Sequence, residues 1–175
     1  MSIVSSKTQT KQWRIQQNWY KNGKSNECEL YQKRIIEEIT DCNIEYTNAR
    51  INQETLIIEK INNPLTLKNG FEYTENFDGY VEINNKKIYL NLKFICGFGG
   101  SQTRSLRETY HFIKVQYKVF ENKNHIYVAN ILDGDECYKR KKLFRYLQKN
   151  HNNNHIFIGD MKKFKKWFLK INQKT

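Results

Sequence analysis

The sequence predicts an α/β sandwich in which helices flank a mixed central sheet. Two observations carry that expectation. Segment patterns follow one another along the chain as helix, strands, helix, strand, helix, strand, helix. In the middle, residues 88–120 run from a strand pattern through a glycine turn into an amphipathic helix. A length of 175 residues fits one domain with a substantial core.

Residues 1–26 are polar, with Trp13, Trp19 and Tyr20 as anchors. They read as an N-terminal arm or short helix that packs on the domain or on a partner, and residues 27–175 form that domain. Residues 27–40 suit a helix, because Cys28, Tyr31, Ile35 and Ile39 recur at three- and four-residue spacing. Strands are expected at 44–46 and 55–61, and Asn62-Asn63-Pro64 marks a turn. Residues 71–83 and 87–95 read as a hairpin joined at Asn84-Asn85. In its second strand Ile88, Leu90, Leu92 and Phe94 point one way, and Tyr89, Asn91, Lys93 and Ile95 the other. Asn91 and Lys93 therefore share a face.

Gly97, Gly99 and Gly100 end that strand, and Ser101 is the expected N-cap of a helix over 102–120. Leu106, Tyr110, Ile113 and Tyr117 form its apolar stripe; Arg104, Arg107, Glu108, His111, Lys114 and Lys118 lie on or near the other side. A strand over 125–132 ends at Asp133-Gly134, and a basic helix over 136–149 follows. After the Asn-rich loop 150–154 come a short strand, 155–158, and a last helix capped by Asp160 and carrying Met161, Phe164, Phe168 and Ile171.

Charge narrows the function. The chain has 30 Lys+Arg against 18 Asp+Glu, a net charge of +12, which favours a polyanionic partner. With 3 Trp, 11 Tyr and 10 Phe it is too aromatic for a disordered basic tail. Cys28, Cys42, Cys96 and Cys137 form no CxxC pair and lie far from any suitably spaced histidine, so they read as buried reduced thiols rather than a zinc finger. No apolar run approaches the roughly 18 residues of a membrane helix, and the N-terminus lacks the apolar core of a signal peptide. The expected location is cytoplasmic, or wherever the DNA is.

The candidate chemistry lies in the hairpin. Asp78 ends one apolar segment, in Phe-Asp-Gly-Tyr, and Lys93 lies on the next strand. A carboxylate suits a hard cation such as Mg²⁺. A nearby ammonium favours hydroxide and offsets charge growing on a phosphate. The turn from Gly97 to Arg104 is neither a P-loop, lacking GKS/GKT, nor GxGxxG, so no nucleotide cofactor is expected. A contact to nucleic-acid backbone, with Arg104 and Arg107 beside it, fits that turn better. Lys139, Arg140, Lys141, Lys142, Arg145 and Lys149, then Lys162, Lys163, Lys165, Lys166 and Lys170, add sequence-independent phosphate contacts. The interleaved Tyr138, Tyr146 and Trp167 read as packing groups rather than stacking platforms. The four histidines form no catalytic pattern, and His111 reads as a surface residue beside the candidate site.

On these residues the chain resembles the PD-(D/E)xK nuclease superfamily, and within it the type II restriction endonucleases. Phe77-Asp78 stands for PD, and Asn91-Leu92-Lys93 for (D/E)xK. The stretches from Gly99 to Glu108 and from Ala129 to Gly134 look like restriction-endonuclease segments, and the resemblance covers roughly residues 71–167. It implies a restriction-endonuclease-like core and Mg²⁺-dependent, sequence-specific hydrolysis of double-stranded DNA by a homodimer. Asn91 departs from the pattern, since an amide is a poor substitute for a carboxylate at a divalent cation. In one subgroup of the family the acid has moved to the next helix, and Glu108 matches that arrangement; Glu82, Glu37 and Glu38 are the other candidates. The resemblance then implies Asp78 and Glu108 as Mg²⁺ ligands with the carbonyl of Leu92, and Lys93 orienting the attacking water. Gln102, Arg104, Arg107, Lys114 and Lys118 would contact DNA, and base reading could come from Gln102, Arg104, the 47–54 segment or the 150–154 loop. Three alternatives remain open: a catalytically inactive nucleic-acid-binding protein on the same fold, a repair, junction-resolving or RNA-processing nuclease, and a structural or partner-binding domain with a basic surface.

Overall fold

A computed structural model of the chain describes residues 10–120, 123, 125–151 and 153–173. Two helices open it, α1 (Thr10–Ile15) and α2 (Ser25–Thr40), followed by a two-stranded ribbon, β1 (Ala49–Asn52) and β2 (Ile57–Lys60). The hairpin β3 (Gly79–Ile83) and β4 (Lys86–Phe94) leads into α3 (Gly100–Val119) and β5 (Ile126–Asp133). Helices α4 (Asp135–Lys139) and α5 (Lys141–Asn150), strand β6 (Ile156–Gly159) and α6 (Met161–Asn172) complete the chain.

The main sheet has the order β3-β4-β5-β6. β3 and β4 are antiparallel, and β4, β5 and β6 are parallel. Asn84 and Asn85 join the hairpin with φ of 50° and 59°. Such a left-handed pair matches the twist of the strands it connects, and Asn tolerates it better than most residues.

Alternation along β4 decides which helix covers which face. Ile88, Leu90 and Leu92 pack with Tyr31, Ile35 and Ile36 of α2 and with Phe164 and Phe168 of α6. Tyr89 and Ile95 point the other way, into a cluster with Phe112, Ile113 and Tyr117 of α3 and Ala49 and Ile51 of β1. The result is the three-layer α/β arrangement expected, with a four-stranded mixed sheet between helices.

Within the α3-side core runs a chain of buried amides. Parallel register sets Asn91 beside Asn130, and in-register residues of parallel strands share a face. Asn91 Nδ2 donates to Asn130 Oδ1 at 2.7 Å, Gln116 Nε2 donates to the same oxygen at 3.0 Å, and Asn130 Nδ2 donates back to Gln116 Oε1 at 2.7 Å. Each group here meets a partner of opposite polarity, which is what lets amides sit in a core.

Thr10 and Trp19 of the N-terminal segment pack against later elements. Thr10 Oγ1 accepts the Asp135 N–H at 2.9 Å and lies 3.0 Å from Cys96 Sγ. The Trp19 ring stacks on Tyr31 of α2 at 4.6 Å. Residues 1–9 lie outside the described residues. All four cysteines are free thiols, and Cys28, Cys96 and Cys137 are buried. Among the described residues no helix is long and apolar enough to cross a membrane.

Several elements differ from expectation. Residues 71–78 are not a strand: Gly70–Glu72 is a 3₁₀ turn with Phe71 90 % exposed. The following residues run beside β1, where Thr74 N–H donates to Ile51 O and Phe77 N–H to Ala49 O. The strand expected at 44–46 is reduced to one bridge, Glu45 with Tyr80, and β1 takes its place. Ser101 lies inside the first turn of α3, and Gly99 holds the N-cap position with φ 152°. The helix expected at 136–149 divides at Arg140, which has φ −92° and ψ 8° and whose Nε is tied to buried Glu136 Oε1 at 3.1 Å.

Candidate active site

Asp78 is anchored by its neighbour. Phe77 is fully buried, its ring 4.8 Å from Tyr89 and 5.1 Å from Phe112. That anchor places Asp78 at the start of β3, where its N–H donates to Leu90 O at 2.8 Å. Its carboxylate Oδ2 then accepts the Leu92 N–H at 2.7 Å, doing for β4 what a backbone carbonyl does elsewhere in the ladder. Burial pushes the carboxyl from an ordinary 3.8 up to about 6; the Leu92 N–H and Lys93 pull it down, while Glu29 and Glu75 push it further up.

Lys93 follows on the same strand, its Nζ 3.1 Å from Glu75 Oε2. Its backbone is fixed from the α2 side. Gln32 Nε2 lies 3.2 Å from the Lys93 carbonyl oxygen and donates to Asp133 Oδ2 at 2.8 Å. Asp133 is buried, also accepts the Met161 N–H at 3.1 Å, and is pushed up to about 6 by that burial. Lys93 and Asp133 sit at the carboxyl ends of parallel β4 and β5, the edge where open α/β sheets carry their sites.

The structure therefore gathers Asp78, Lys93 and Glu75, with Glu29 of α2 acting on Asp78 through space. Glu29, Glu75 and Gln32 were not among the expected residues. Glu75 lies in the segment wrongly read as strand, where alternation gave its side chain no meaning. Gln32 interrupts the apolar stripe of α2, and a polar residue on a buried helix face is the signal that could have found it.

Glu108 and His111 are exposed on α3, and with Gln53, Thr74 and Glu75 they line a cleft of about 310 Å³. Among the described residues Glu108 makes no ion pair, so neither Arg104 nor Arg107 holds it. It lines the wall of the cleft that Glu75 also lines. Two other candidate acids are engaged elsewhere: Glu37 accepts the Ile44 N–H at 3.1 Å, and Glu82 pairs with Lys87 at 3.3 Å near the hairpin turn. Asn91 does share a face with Lys93, but its side chain is 1 % exposed and bound into the amide chain.

Arg104, Arg107, Lys114 and Lys118 are exposed along α3, and Gln102 is half-buried at its first turn. No side chain caps the first turn of α3 among the described residues. Of the 47–54 segment, Gln53 reaches the cleft, while Asn52 is buried and accepts the N–H groups of Glu54 and Thr55.

Mg²⁺ keeps several waters and is held through one or two carboxylates rather than by an all-protein cage. Among the described residues no group of three or more His, Cys, Asp or Glu side chains could hold a metal. The donors here are Asp78 with Glu75 nearby, a sparse oxygen set that fits Mg²⁺ and does not fit a closed zinc site. No family model matches the chain, and no curated protein or solved structure matches it.

One stability prediction follows from Asp78. Its pKa is higher folded than unfolded, so the native state binds the proton more tightly between pH 4 and pH 6. The contribution of this carboxyl to stability is present below about pH 4 and lost as pH rises through about 6. Asp78→Asn removes that dependence. In metal-free protein its melting temperature should exceed that of wild type more at pH 7.5 than at pH 4, read by circular dichroism. An equal difference at both pH values would contradict the buried-carboxyl account.

Proposed function

We propose that the chain is a Mg²⁺-dependent endonuclease acting on double-stranded DNA, of the type II restriction kind within the PD-(D/E)xK superfamily. The observation that carries this reading is Asp78 held against the Leu92 N–H with Lys93 and Glu75 beside it. An acid and a lysine thus stand on neighbouring chain segments at the carboxyl end of β4, which supports a site for phosphodiester hydrolysis. Asp78 would hold the ion, with Glu108 and the Leu92 carbonyl completing its protein ligands. When bound, the ion supplies charge stabilisation to the phosphate and to the leaving oxygen.

Lys93 would orient the attacking water and favour its deprotonated form, while Glu75 holds the ammonium in place. Water oxygen bonds to phosphorus, the P–O3′ bond breaks, and the departing O3′ takes up a proton. The products are a 5′-phosphate and a 3′-hydroxyl. Arg104, Arg107, Lys114 and Lys118 would bind backbone phosphates, and Gln53 and Gln102 would meet base edges. Cutting both strands calls for two sites, hence a homodimer with twofold symmetry.

A second reading has its own support. Asn91 is committed to the core, and the position where the family carries its second acid therefore offers no ligand. A non-catalytic binder of nucleic acid on this scaffold would have the same charge and fold. Unmodified plasmid and phage DNA incubated with Mg²⁺, and in parallel with EDTA, separates the two. Discrete Mg²⁺-dependent fragments are the expected outcome. A smear keeps the nuclease and removes the restriction reading. Uncut DNA with a salt-sensitive gel shift leaves the binder.

A further inference from the structure

On the other side of α3 from the Glu75–Glu108 cleft lies a larger groove, of about 550 Å³, between α3 and α5. Leu106 and Phe144 are buried in its floor and Tyr110 is half-buried. Leu143 and Tyr146, 55 % and 61 % exposed, stand on α5 one turn apart, so they share a face. Tyr146, expected as a packing group, is instead largely exposed. Arg107, Arg140 and Lys142 form the rim, and among the described residues no carboxylate lines the groove. Of the rim cations, Arg140 is paired with buried Glu136 at 3.1 Å, an acid it shares with Lys139 at 3.9 Å.

We infer that this groove docks an unpaired segment of nucleic acid, with bases on Tyr146 and Tyr110 and phosphates on Arg107 and Lys142. The inference rests on the nucleic-acid reading above and names a second feature of the substrate. Three arguments select this occupant. A cationic rim around aromatic side chains is the combination that holds single strands, because every base has a face to stack and every linkage a charge to neutralise. A twofold contact with a second copy would set the same cations against themselves, in a chain already at +12. Finally, Arg107 lines this groove and its neighbour Glu108 lines the cleft, so a strand passing over α3 meets both.

The test is fluorescence anisotropy on the full chain in EDTA, with labelled oligo-dT, a blunt duplex of equal length, and polyglutamate. Tyr146→Ala and Leu143→Ala should each weaken oligo-dT binding, the tyrosine by about tenfold. Duplex affinity should change far less, and Tyr146→Phe should retain oligo-dT binding. Both side chains are largely exposed, and an unchanged melting temperature confirms intact folding. Equal losses on oligo-dT and duplex, or no loss on oligo-dT, would overturn the proposal. So would polyglutamate binding that depends on Tyr146 while oligo-dT binding does not, since the groove would then serve an acidic protein. Cleavage is assayed separately. Groove binding without cleavage removes the nuclease alone, and cleavage with unaltered oligo-dT affinity in Tyr146→Ala removes the groove alone.

Discussion

Asp78→Asn and Lys93→Ala are each expected to lower Mg²⁺-dependent DNA cleavage by on the order of 10³-fold, in proteins that stay folded. The two losses have different causes. Asn at 78 keeps an oxygen to accept the Leu92 N–H, now 2.7 Å away, so the strand junction survives. What it lacks is the negative charge that attracts the cation. Ala at 93 removes the ammonium and leaves Glu75 without its partner at 3.1 Å. Lys93 is only partly buried and Glu75 is exposed, so water can take over both groups and the stability cost should be small. Plasmid nicking rates give the first quantity and thermal melts the second. A variant that cuts at the wild-type rate would remove its residue from the site. An Asp78→Asn protein that fails to fold would show that the Asp78–Leu92 junction is needed for structure.

The second large effect concerns Asn91. On the proposed superfamily reading, Asn91→Asp would supply the second acid and raise activity. By the packing seen here it should instead cost about 2–3 kcal/mol and raise nothing. Asn91 Nδ2 is the donor to Asn130 Oδ1, which also receives Gln116 Nε2. An aspartate would set acceptor against acceptor in a fully buried position. Turning the Asn130 amide over would not help, because its Nδ2 is already bonded to Gln116 Oε1 and to the Phe157 carbonyl. A chain of this size should then melt about 5–10 °C lower. Unchanged melting together with faster cleavage would return position 91 to the active site.

Much of this was legible in the sequence, for identifiable reasons. The β3–β4 hairpin announced itself through Asn84-Asn85 and through two-residue alternation, which also placed Lys93 on the face of Asn91. Helices α2, α3 and α6 followed from their apolar spacing, and Asp160 caps α6 by accepting the Lys163 N–H as expected. The partners of Lys93 were not legible. Glu75 arrives through a loop whose path is set by hydrogen bonds to β1, a contact between segments that no local pattern encodes. Glu29 and Gln32 depend on which turn of α2 lies over the end of β4, and periodicity defines a helix face but not the height at which it packs. Asn91 shows the same limit from the other side: its face was read correctly, but whether it met a cation or another amide depended on strand β5.

The most direct test of the central claim is cation uptake by the Asp78 site. Mn²⁺, which takes the same oxygen ligands as Mg²⁺, can be titrated into the protein in the presence of mixed-sequence duplex and followed by the electron paramagnetic resonance of the free ion. Wild type should remove Mn²⁺ at a saturable site that Asp78→Asn lacks. Equal uptake by both proteins would contradict a metal-dependent nuclease built on Asp78.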